Sequence, residues 1–195
     1  MPVVEAPPRR RRARWQPSVL VLCTGNLCRS PLAEALLVDR LRAAGLHADV
    51  ASAGLAAPKG RQPDRNLLRV AEEHGVDVSD HRSRAVTEAM IAQADLLLVM
   101  THRHRDEVAK IDGQAVHRTA LLRPAAWKAH VAASGSTTFA DWARRLVADV
   151  PLSERSRHRG DDIADPVGRP LRYYRAMAAD VDSYVDSLVR HWPTA

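Results

Sequence analysis

Cysteines and long apolar runs are scarce in this sequence, which excludes several classes of protein. Only two cysteines, Cys23 and Cys28, occur among 195 residues, too few for a fold held together by disulfides. The longest apolar runs, 18–23 and 96–100, are far shorter than the roughly 20 residues that a membrane helix requires. The early arginines are not followed by the apolar stretch of a secretory signal. We therefore expect a cytoplasmic protein without a membrane span, in which the cysteines serve chemistry.

Aromatic residues are also few, and much of the charge lies at the N-terminus. The chain has one Phe, three Tyr and four Trp, and only Trp15 lies in the basic segment, which disfavours stacking on single-stranded nucleic acid. The formal net charge is +6, of which the first 16 residues, with five arginines and one glutamate, contribute +4. Residues 1–17 also contain four prolines and are predicted to form a disordered tail. Such a tail is either an electrostatic arm for nucleic acid, anionic lipid or an acidic partner, or a solvated terminus. We favour the solvated terminus and expect no nucleic-acid partner.

From residue 18 onward, short leucine-rich or β-branched runs alternate with helical patterns. This alternation predicts a single three-layer α/β domain over 18–195, with a four-stranded parallel sheet flanked by helices. The predicted strands are Ser18–Leu22, His47–Ser52, Asp95–Met100 and Ala115–Leu121. The predicted helices are Pro31–Ala44, Pro63–His74, Thr87–Ala94, His104–Ile111, Phe139–Val150 and Leu171–Trp192. A helical insertion is expected at about 123–160.

The segment between the first strand and the first helix carries the chemistry. It consists of Cys23, Thr24, Gly25, Asn26, Leu27, Cys28, Arg29, Ser30 and Pro31. The N–H groups of such a loop and the positive end of the helix dipole together bind a phosphate-sized oxyanion. Cys23 is placed to act as a thiolate nucleophile, and Arg29 to hold two phosphoryl oxygens. The Ser30 hydroxyl can donate a hydrogen bond to the sulfur, and Gly25 is expected to allow the backbone turn.

Other uses of these residues are disfavoured. Cys23 and Cys28 lack the second pair of ligands that a zinc site needs. The loop has no Gly-Lys-Ser/Thr ending, so it is not a nucleotide-binding P-loop. His102 and His104 form a His-x-His pattern, but no third ligand lies nearby and no metal site is predicted.

The stretch from Val19 to Pro31 resembles the phosphate-binding loop of the low-molecular-weight protein-tyrosine phosphatases. Further segments resemble signatures of this family in the same order: Ser52 to Gly54, Gly75 to Arg84, Asp95 to Thr101, and Asp165-Pro166. The resemblance implies a phosphatase that hydrolyses protein phosphotyrosine through a phosphocysteine intermediate, without a cofactor. It suggests a bacterial tyrosine kinase as one possible phosphorylated partner, and it predicts no oligomeric state.

The resemblance also assigns roles to individual residues. Cys23 would form the phosphocysteine, Arg29 would hold the phosphoryl group, and Asp165 would act first as general acid and then as general base. Ser52 and His81 would support the loop. The substrate-binding set would be Thr24, Gly25, Asn26, Leu27, Cys28 and Ser30.

Two of these assignments have alternatives. Asp161 and Asp162 are rival candidates for the acid, and Asp165 could be a simple turn residue. Cys28 either packs under the loop or forms a reversible, redox-regulating disulfide with Cys23.

The sequence departs from the family pattern where aromatic residues often surround the pocket. Leu55 to Lys59 and Val167-Gly168 occupy those places. The candidates for replacement aromatics are Trp127, Phe139, Trp142, Tyr173 and Tyr174.

Other activities remain open. A relative of the arsenate reductases would need cysteines after Cys28, and the chain has none. Protein-arginine phosphatases have threonine where Leu27 stands, and the larger apolar side chain favours an aryl phosphate. A catalytically weak phosphate-binding module is the alternative from another class.

Overall fold

The computed structural model of the chain describes residues 16–136, 138–148 and 160–194. The tail predicted for 1–17 lies outside the described residues except for Gln16 and Pro17. The carbonyl of Pro17 accepts a hydrogen bond from the N–H of Asp49 at 2.8 Å, so the described chain enters the sheet at once.

The predicted four-stranded parallel sheet is confirmed. Its strands are β1 (Ser18–Cys23), β2 (Asp49–Gly54), β3 (Leu96–Val99) and β4 (Thr119–Leu121), in the order β2-β1-β3-β4. The central strand β1 is apolar throughout its buried part, as expected for a parallel strand covered on both faces. All four carboxyl ends lie at one edge of the sheet, where the loop beginning at Cys23 follows.

Helices cover both faces of this sheet. They are α1 (Arg29–Ala43), α2 (Arg65–Glu73), α3 (Glu88–Gln93), α4 (His102–Ile111), α5 (Leu122–Ala133), α6 (Phe139–Ala148) and α7 (Leu171–Arg190). Helices α1, α2, α5, α6 and α7 share one apolar core with one face of the sheet. Helices α3 and α4 pack with the other face. The molecule therefore has the predicted three layers.

One prediction about the second half of the chain was wrong in detail. The strand predicted for Ala115–Leu121 begins only at Thr119, because Gly113–Arg118 forms a 3₁₀ helix. The side chain of Asp112 begins that helix by accepting a hydrogen bond from the N–H of Gln114 at 2.9 Å.

Helix α5 had not been predicted. Its buried face is made mainly of alanines, which give a weak hydrophobic pattern but allow close packing against α7. Helix α6 coincides with the predicted helix at Phe139–Val150 as far as Ala148, and the last two residues lie outside the described chain. Both helices lie in the region predicted to be an insertion, and its status as an insertion stays a prediction.

Phe139 and Trp142 belong to the core. Their ring centroids lie 5.6 Å apart, and both rings pack against Trp192 at 5.0 and 5.2 Å. Trp142 is fully buried. These two residues therefore do not supply aromatic rings to a pocket at the sheet edge. In the described residues, none of the helices is long and apolar enough to cross a membrane.

Candidate active site

Cys23 ends β1 and begins the loop that the sequence singled out. Its Sγ lies 3.0 Å from the Oγ of Ser30 and accepts a hydrogen bond from the N–H of Asn26 at 3.3 Å. Hydrogen-bond donors directed at sulfur stabilise it as a thiolate. The arrangement therefore suits a nucleophile rather than a buried apolar side chain.

Helix α1 begins at Arg29, directly behind the loop. Cys28 occupies the position before the helix and makes no capping hydrogen bond with its side chain. The N–H groups of the first helical turn are therefore not capped by that side chain and suit an anion, which the helix dipole also attracts.

Asn26 fixes the shape of the loop. Its backbone adopts the left-handed conformation, with a φ of 51°, whereas Gly25, which was expected to allow the turn, has no such conformation. The Nδ2 of Asn26 donates to Ser30 at 3.1 Å and to Ser52 at 2.8 Å. The Oδ1 of Asn26 accepts from the N–H of Arg84 at 3.0 Å. Its buried side chain therefore has partners for both amide atoms, which holds the strained turn in place.

Ser52 and His81, which the family resemblance predicts to support the loop, both contact Asn26. The Oγ of Ser52, which accepts from Asn26, donates to the carboxylate of Glu34 at 2.5 Å. The Nε2 of His81 lies 2.9 Å from the carbonyl oxygen of Asn26. Glu34 was not predicted; it lies one helical turn after Ser30, on the α1 face toward β2.

The loop also rests on the end of β2. The N–H groups of Leu55 and Ala56 donate to the carbonyls of Cys23 and Thr24, both at 2.9 Å. At Gly54, a Cβ atom would lie 2.6 Å from the carbonyl oxygen of Thr24 and 2.9 Å from the nitrogen of Asn26. Only glycine leaves room for this close approach of two backbones.

Arg29 brings a buried positive charge to the site. It is 3% exposed, and it donates to the carbonyl of Ile163 at 3.2 Å and to Asp165 Oδ2 at 2.5 Å. Its buried Nε has no hydrogen-bond partner among the described residues. A buried guanidinium with an unused donor is suited to an oxyanion.

Of the three candidate acids, only Asp165 reaches the loop. Its side chain is 44% exposed and contacts Arg29, and its Oδ1 accepts from the N–H of Val167 at 3.2 Å. Asp161 and Asp162 instead contact the ring and the N–H of His102, at 3.3 and 2.8 Å. The rival carboxylates therefore hold the start of α4, and Asp165 is left at the site.

His104 is a neighbour of the loop that sequence reasoning considered only as a metal ligand. Its Nε2 lies 2.9 Å from the Oγ1 of Thr24, which also lies 3.5 Å from Nη2 of Arg29. Burial, with Arg29 nearby, lowers the pKa of His104 to about 4, so the imidazole is neutral near pH 7. Its position was inferable from topology, since α4 begins after β3, the neighbour of β1 in the sheet. The described residues contain no cluster of three metal-binding side chains.

Cys28 is buried beneath the loop. Burial, with Cys23 nearby, raises the pKa of the Cys28 thiol above its ordinary range. Cys28 therefore remains a thiol at neutral pH.

The remaining aromatic candidates divide in two. Tyr173 is 38% exposed on the first turn of α7, a few residues after Asp165, whereas Tyr174 is buried. Trp127 is exposed on α5, within cation–π distance of Arg123. Of these three residues, only Tyr173 is both exposed and close to Asp165 in the sequence.

A loop that combines a cysteine, an arginine and a facing aspartate at a helix N-terminus defines a cysteine-dependent phosphate site. The model of the family described as low molecular weight phosphotyrosine protein phosphatase matches residues 18–134. The chain therefore belongs to this family.

The relatives include two kinds of phosphatase. The chain is 40% identical over 91 residues to the probable low molecular weight protein-tyrosine-phosphatase EpsP of Ralstonia nicotianae. That alignment covers 47% of this chain and 60% of EpsP. This chain is also 29% identical over 176 residues to a protein-arginine-phosphatase of Geobacillus stearothermophilus. That second alignment covers 90% of this chain and 96% of the relative.

Solved structures agree with the fold. The crystal structure of the Erwinia amylovora tyrosine phosphatase AmsI matches with a TM-score of 0.67 and 27% identity, covering 94% of this chain and 98% of AmsI. The YwlE arginine phosphatase from Geobacillus stearothermophilus matches with a TM-score of 0.65 and 29% identity, covering 89% and 90% of the two chains.

Proposed function

We propose that this protein hydrolyses phosphotyrosine in proteins through a phosphocysteine intermediate. The observation that carries the proposal is the convergence of Cys23, Arg29 and Asp165 at one sheet edge, with Arg29 joining the loop to Asp165. Family membership supports the same reaction class. The curated relative EpsP is matched over only 60% of its length, so its activity supports the proposal without deciding it.

In the first step, the thiolate of Cys23 attacks phosphorus while the bond from phosphorus to the tyrosyl oxygen breaks. Asp165, as the carboxylic acid, gives its proton to that leaving oxygen. Arg29 and the N–H groups of residues 24–30 stabilise the charge on the three nonbridging oxygens. The products are tyrosine and the phosphocysteine.

In the second step, the carboxylate of Asp165 takes a proton from water, and the oxygen of that water attacks the phosphocysteine. The bond from phosphorus to sulfur breaks, phosphate leaves, and the thiolate of Cys23 is restored. The hydroxyl of Ser30, 3.0 Å from the sulfur, stabilises the thiolate as nucleophile and as leaving group.

Leu27 favours phosphotyrosine over phosphoarginine. Arginine phosphatases, which this loop also resembles, have threonine at this position. Leu27 is half-buried within the loop. The carbonyl of Leu27 is held by the N–H of Asp64 at 3.3 Å. An apolar side chain at this position suits an aryl ring better than a guanidinium, which would place polar N–H groups against it.

The proposal is tested by hydrolysis of phenyl phosphate, a phosphotyrosine peptide and phosphoarginine, under reducing conditions and without added metal. We expect turnover of the first two substrates, its loss in Cys23→Ser, and a strong reduction in Asp165→Asn. Faster hydrolysis of phosphoarginine than of the peptide would favour the arginine phosphatase. Phosphate binding without any turnover would favour the binding module.

The proposal extends to redox control, location and partner. Cys23 and Cys28 lie in the same loop and are both free thiols in this structure. A disulfide between them would protect the nucleophile from overoxidation. A reducing cytoplasm would keep Cys23 active. A bacterial tyrosine kinase that carries phosphotyrosine would be a suitable substrate. Recovery of activity by dithiothreitol after peroxide treatment, in the wild type but not in Cys28→Ser, would support the disulfide.

A further inference from the structure

Two arginines stack on one exposed tyrosine beside the candidate acid. The guanidinium carbon of Arg169 lies 4.4 Å from the ring centroid of Tyr173, and that of Arg172 lies 4.8 Å from it. Both arginines are exposed. We name Arg169, Arg172 and Tyr173 the arginine cluster.

The arginine cluster is tied to the active site by backbone contacts. The N–H of Ile163 donates to the carbonyl of Met100 at 2.8 Å, at the end of β3, and the N–H of Arg169 donates to the carbonyl of Pro166 at 2.8 Å. The N–H of Tyr173 donates to the carbonyl of Pro170 at 2.9 Å. The segment that holds Asp165 against Arg29 therefore leads directly into the cluster, whose first member, Arg169, follows Asp165 by four residues.

Neither arginine of the cluster is ion-paired with a carboxylate in the described part of the chain. Arg175, one turn further along α7, differs in this respect, because it pairs with Glu73 at 2.7 and 2.8 Å. The hydrogen bond from Arg172 and the charge of Arg169 lower the pKa of Tyr173. Its guanidinium N–H groups have capacity for an external anion.

A second segment next to the loop also carries exposed positive side chains. Lys59 and Arg61 are exposed on the segment that follows β2, which contacts the loop through Ala56 and Thr24. The N–H of Arg61 donates to Ser83 Oγ at 3.0 Å, which fixes that segment. Two segments that contact residues of the loop therefore carry exposed positive side chains, which attract acidic ligands.

We propose that the arginine cluster is a subsite for a glutamate or aspartate side chain next to the phosphotyrosine, so that the preferred substrates are acidic phosphotyrosine segments. This inference rests on the proposed phosphatase function. A guanidinium stacked on a ring keeps its N–H edge free for a two-pronged contact with a carboxylate, and stacking reduces the freedom lost on binding.

The test compares kcat/KM for two phosphotyrosine peptides that differ only in having glutamates or glutamines beside the phosphotyrosine. The wild type should prefer the glutamate peptide, and the double variant Arg169→Ala/Arg172→Ala should lose about three- to tenfold of that preference, mostly through KM. The preference should also shrink in about 1 M salt, where the Debye length is about 3 Å. Arg175→Ala, which removes an arginine already paired on the same helix, should keep the wild-type ratio.

Hydrolysis of p-nitrophenyl phosphate separates this inference from the proposed function. The small substrate does not reach the cluster, so the double variant should hydrolyse it like the wild type, which also shows that it folds. If the wild type hydrolyses it but treats both peptides alike, or if the double variant keeps the full preference, the subsite is wrong and the phosphatase stands. A wild type that hydrolyses neither kind of substrate would overturn both.

Discussion

His104 Nε2 lies 2.9 Å from Oγ1 of Thr24, at the first residue of the phosphate loop after Cys23. Thr24 Oγ1 is also near Nη2 of Arg29, at 3.5 Å. Arginine can only donate hydrogen bonds, so the hydroxyl oxygen of Thr24 is the acceptor for Arg29. The buried imidazole therefore acts on Arg29 through Thr24.

Replacing His104 should consequently weaken catalysis without abolishing it. We expect His104→Ala to lower kcat about three- to tenfold, the effect of losing one buried hydrogen bond that positions Arg29. His104→Gln places a side-chain amide, which can donate or accept a hydrogen bond, near the position of Nε2 and should restore much of the loss. Steady-state kinetics on phenyl phosphate, with circular dichroism as a control for folding, would measure both variants. Equal losses in the alanine and glutamine variants would contradict the hydrogen-bond role.

The lowered pKa of His104 also predicts how the folding stability depends on pH. Its pKa is about 4 in the folded protein, against 6.5 for a free imidazole. Between those values the unfolded chain takes up a proton that the folded protein does not, so folding stability falls as the pH drops from 6.5 toward 4. The shift corresponds to about 3 kcal/mol at its full extent. Above pH 6.5 the imidazole is neutral in both the folded and the unfolded chain, so His104 causes no loss of stability there.

Denaturant unfolding of the wild type and of His104→Gln at several pH values would test this dependence. Glutamine does not titrate, so the wild type should lose more free energy of unfolding than the variant between pH 7 and pH 4.5. Parallel losses in the two proteins would show that His104 titrates normally in the folded state.

Gly54 should tolerate no side chain. A Cβ there would lie 2.6 Å from the carbonyl oxygen of Thr24, a backbone atom that cannot move without distorting the loop. We expect Gly54→Ala to lose activity by at least about tenfold and to unfold at a lower temperature. Gly113→Ala is the matched control, because a Cβ at Gly113 would contact nothing within 4 Å. Comparable kinetics for Gly54→Ala and the control would contradict the close approach of the two backbones.

The sequence predicted the sheet and the phosphate loop because both depend on local patterns. An apolar strand, a turn and a helix start are contiguous in the chain, and the residues that bind phosphate lie within nine positions. The contact between Arg29 and Asp165 joins residues that are 136 positions apart, so it required the family resemblance.

Other features depend on packing that a linear pattern does not show. The alanines of α5 give too weak a hydrophobic pattern to predict a buried helix. Their role becomes clear only from the packing of α5 against α7. His104 could not be assigned to the loop before the strand order was known. The turn conformation falls on Asn26 rather than on Gly25, because three hydrogen bonds made by the Asn26 side chain compensate for its strained backbone.

The role of Asp165 makes the sharpest kinetic prediction. A tyrosyl oxygen, with a pKa near 10 in free tyrosine, leaves poorly without a proton, whereas p-nitrophenolate is a much weaker base. Asp165→Asn keeps the size of the side chain and an oxygen for Arg29, but it cannot donate a proton to the leaving group. We expect kcat/KM, which reports the steps up to loss of the leaving group, to fall about 10²- to 10³-fold for phenyl phosphate and much less for p-nitrophenyl phosphate.

Asp161→Asn is the matched control, because that carboxylate contacts His102 rather than the loop. It should leave both rates close to wild type, since its side chain supports the start of α4. If kcat/KM fell equally for the two esters in Asp165→Asn, Asp165 would act only on substrate binding or on the position of Arg29. The proton would then have to come from another group, and the dependence on leaving group in Asp161→Asn and in an Asp162→Asn variant would identify it.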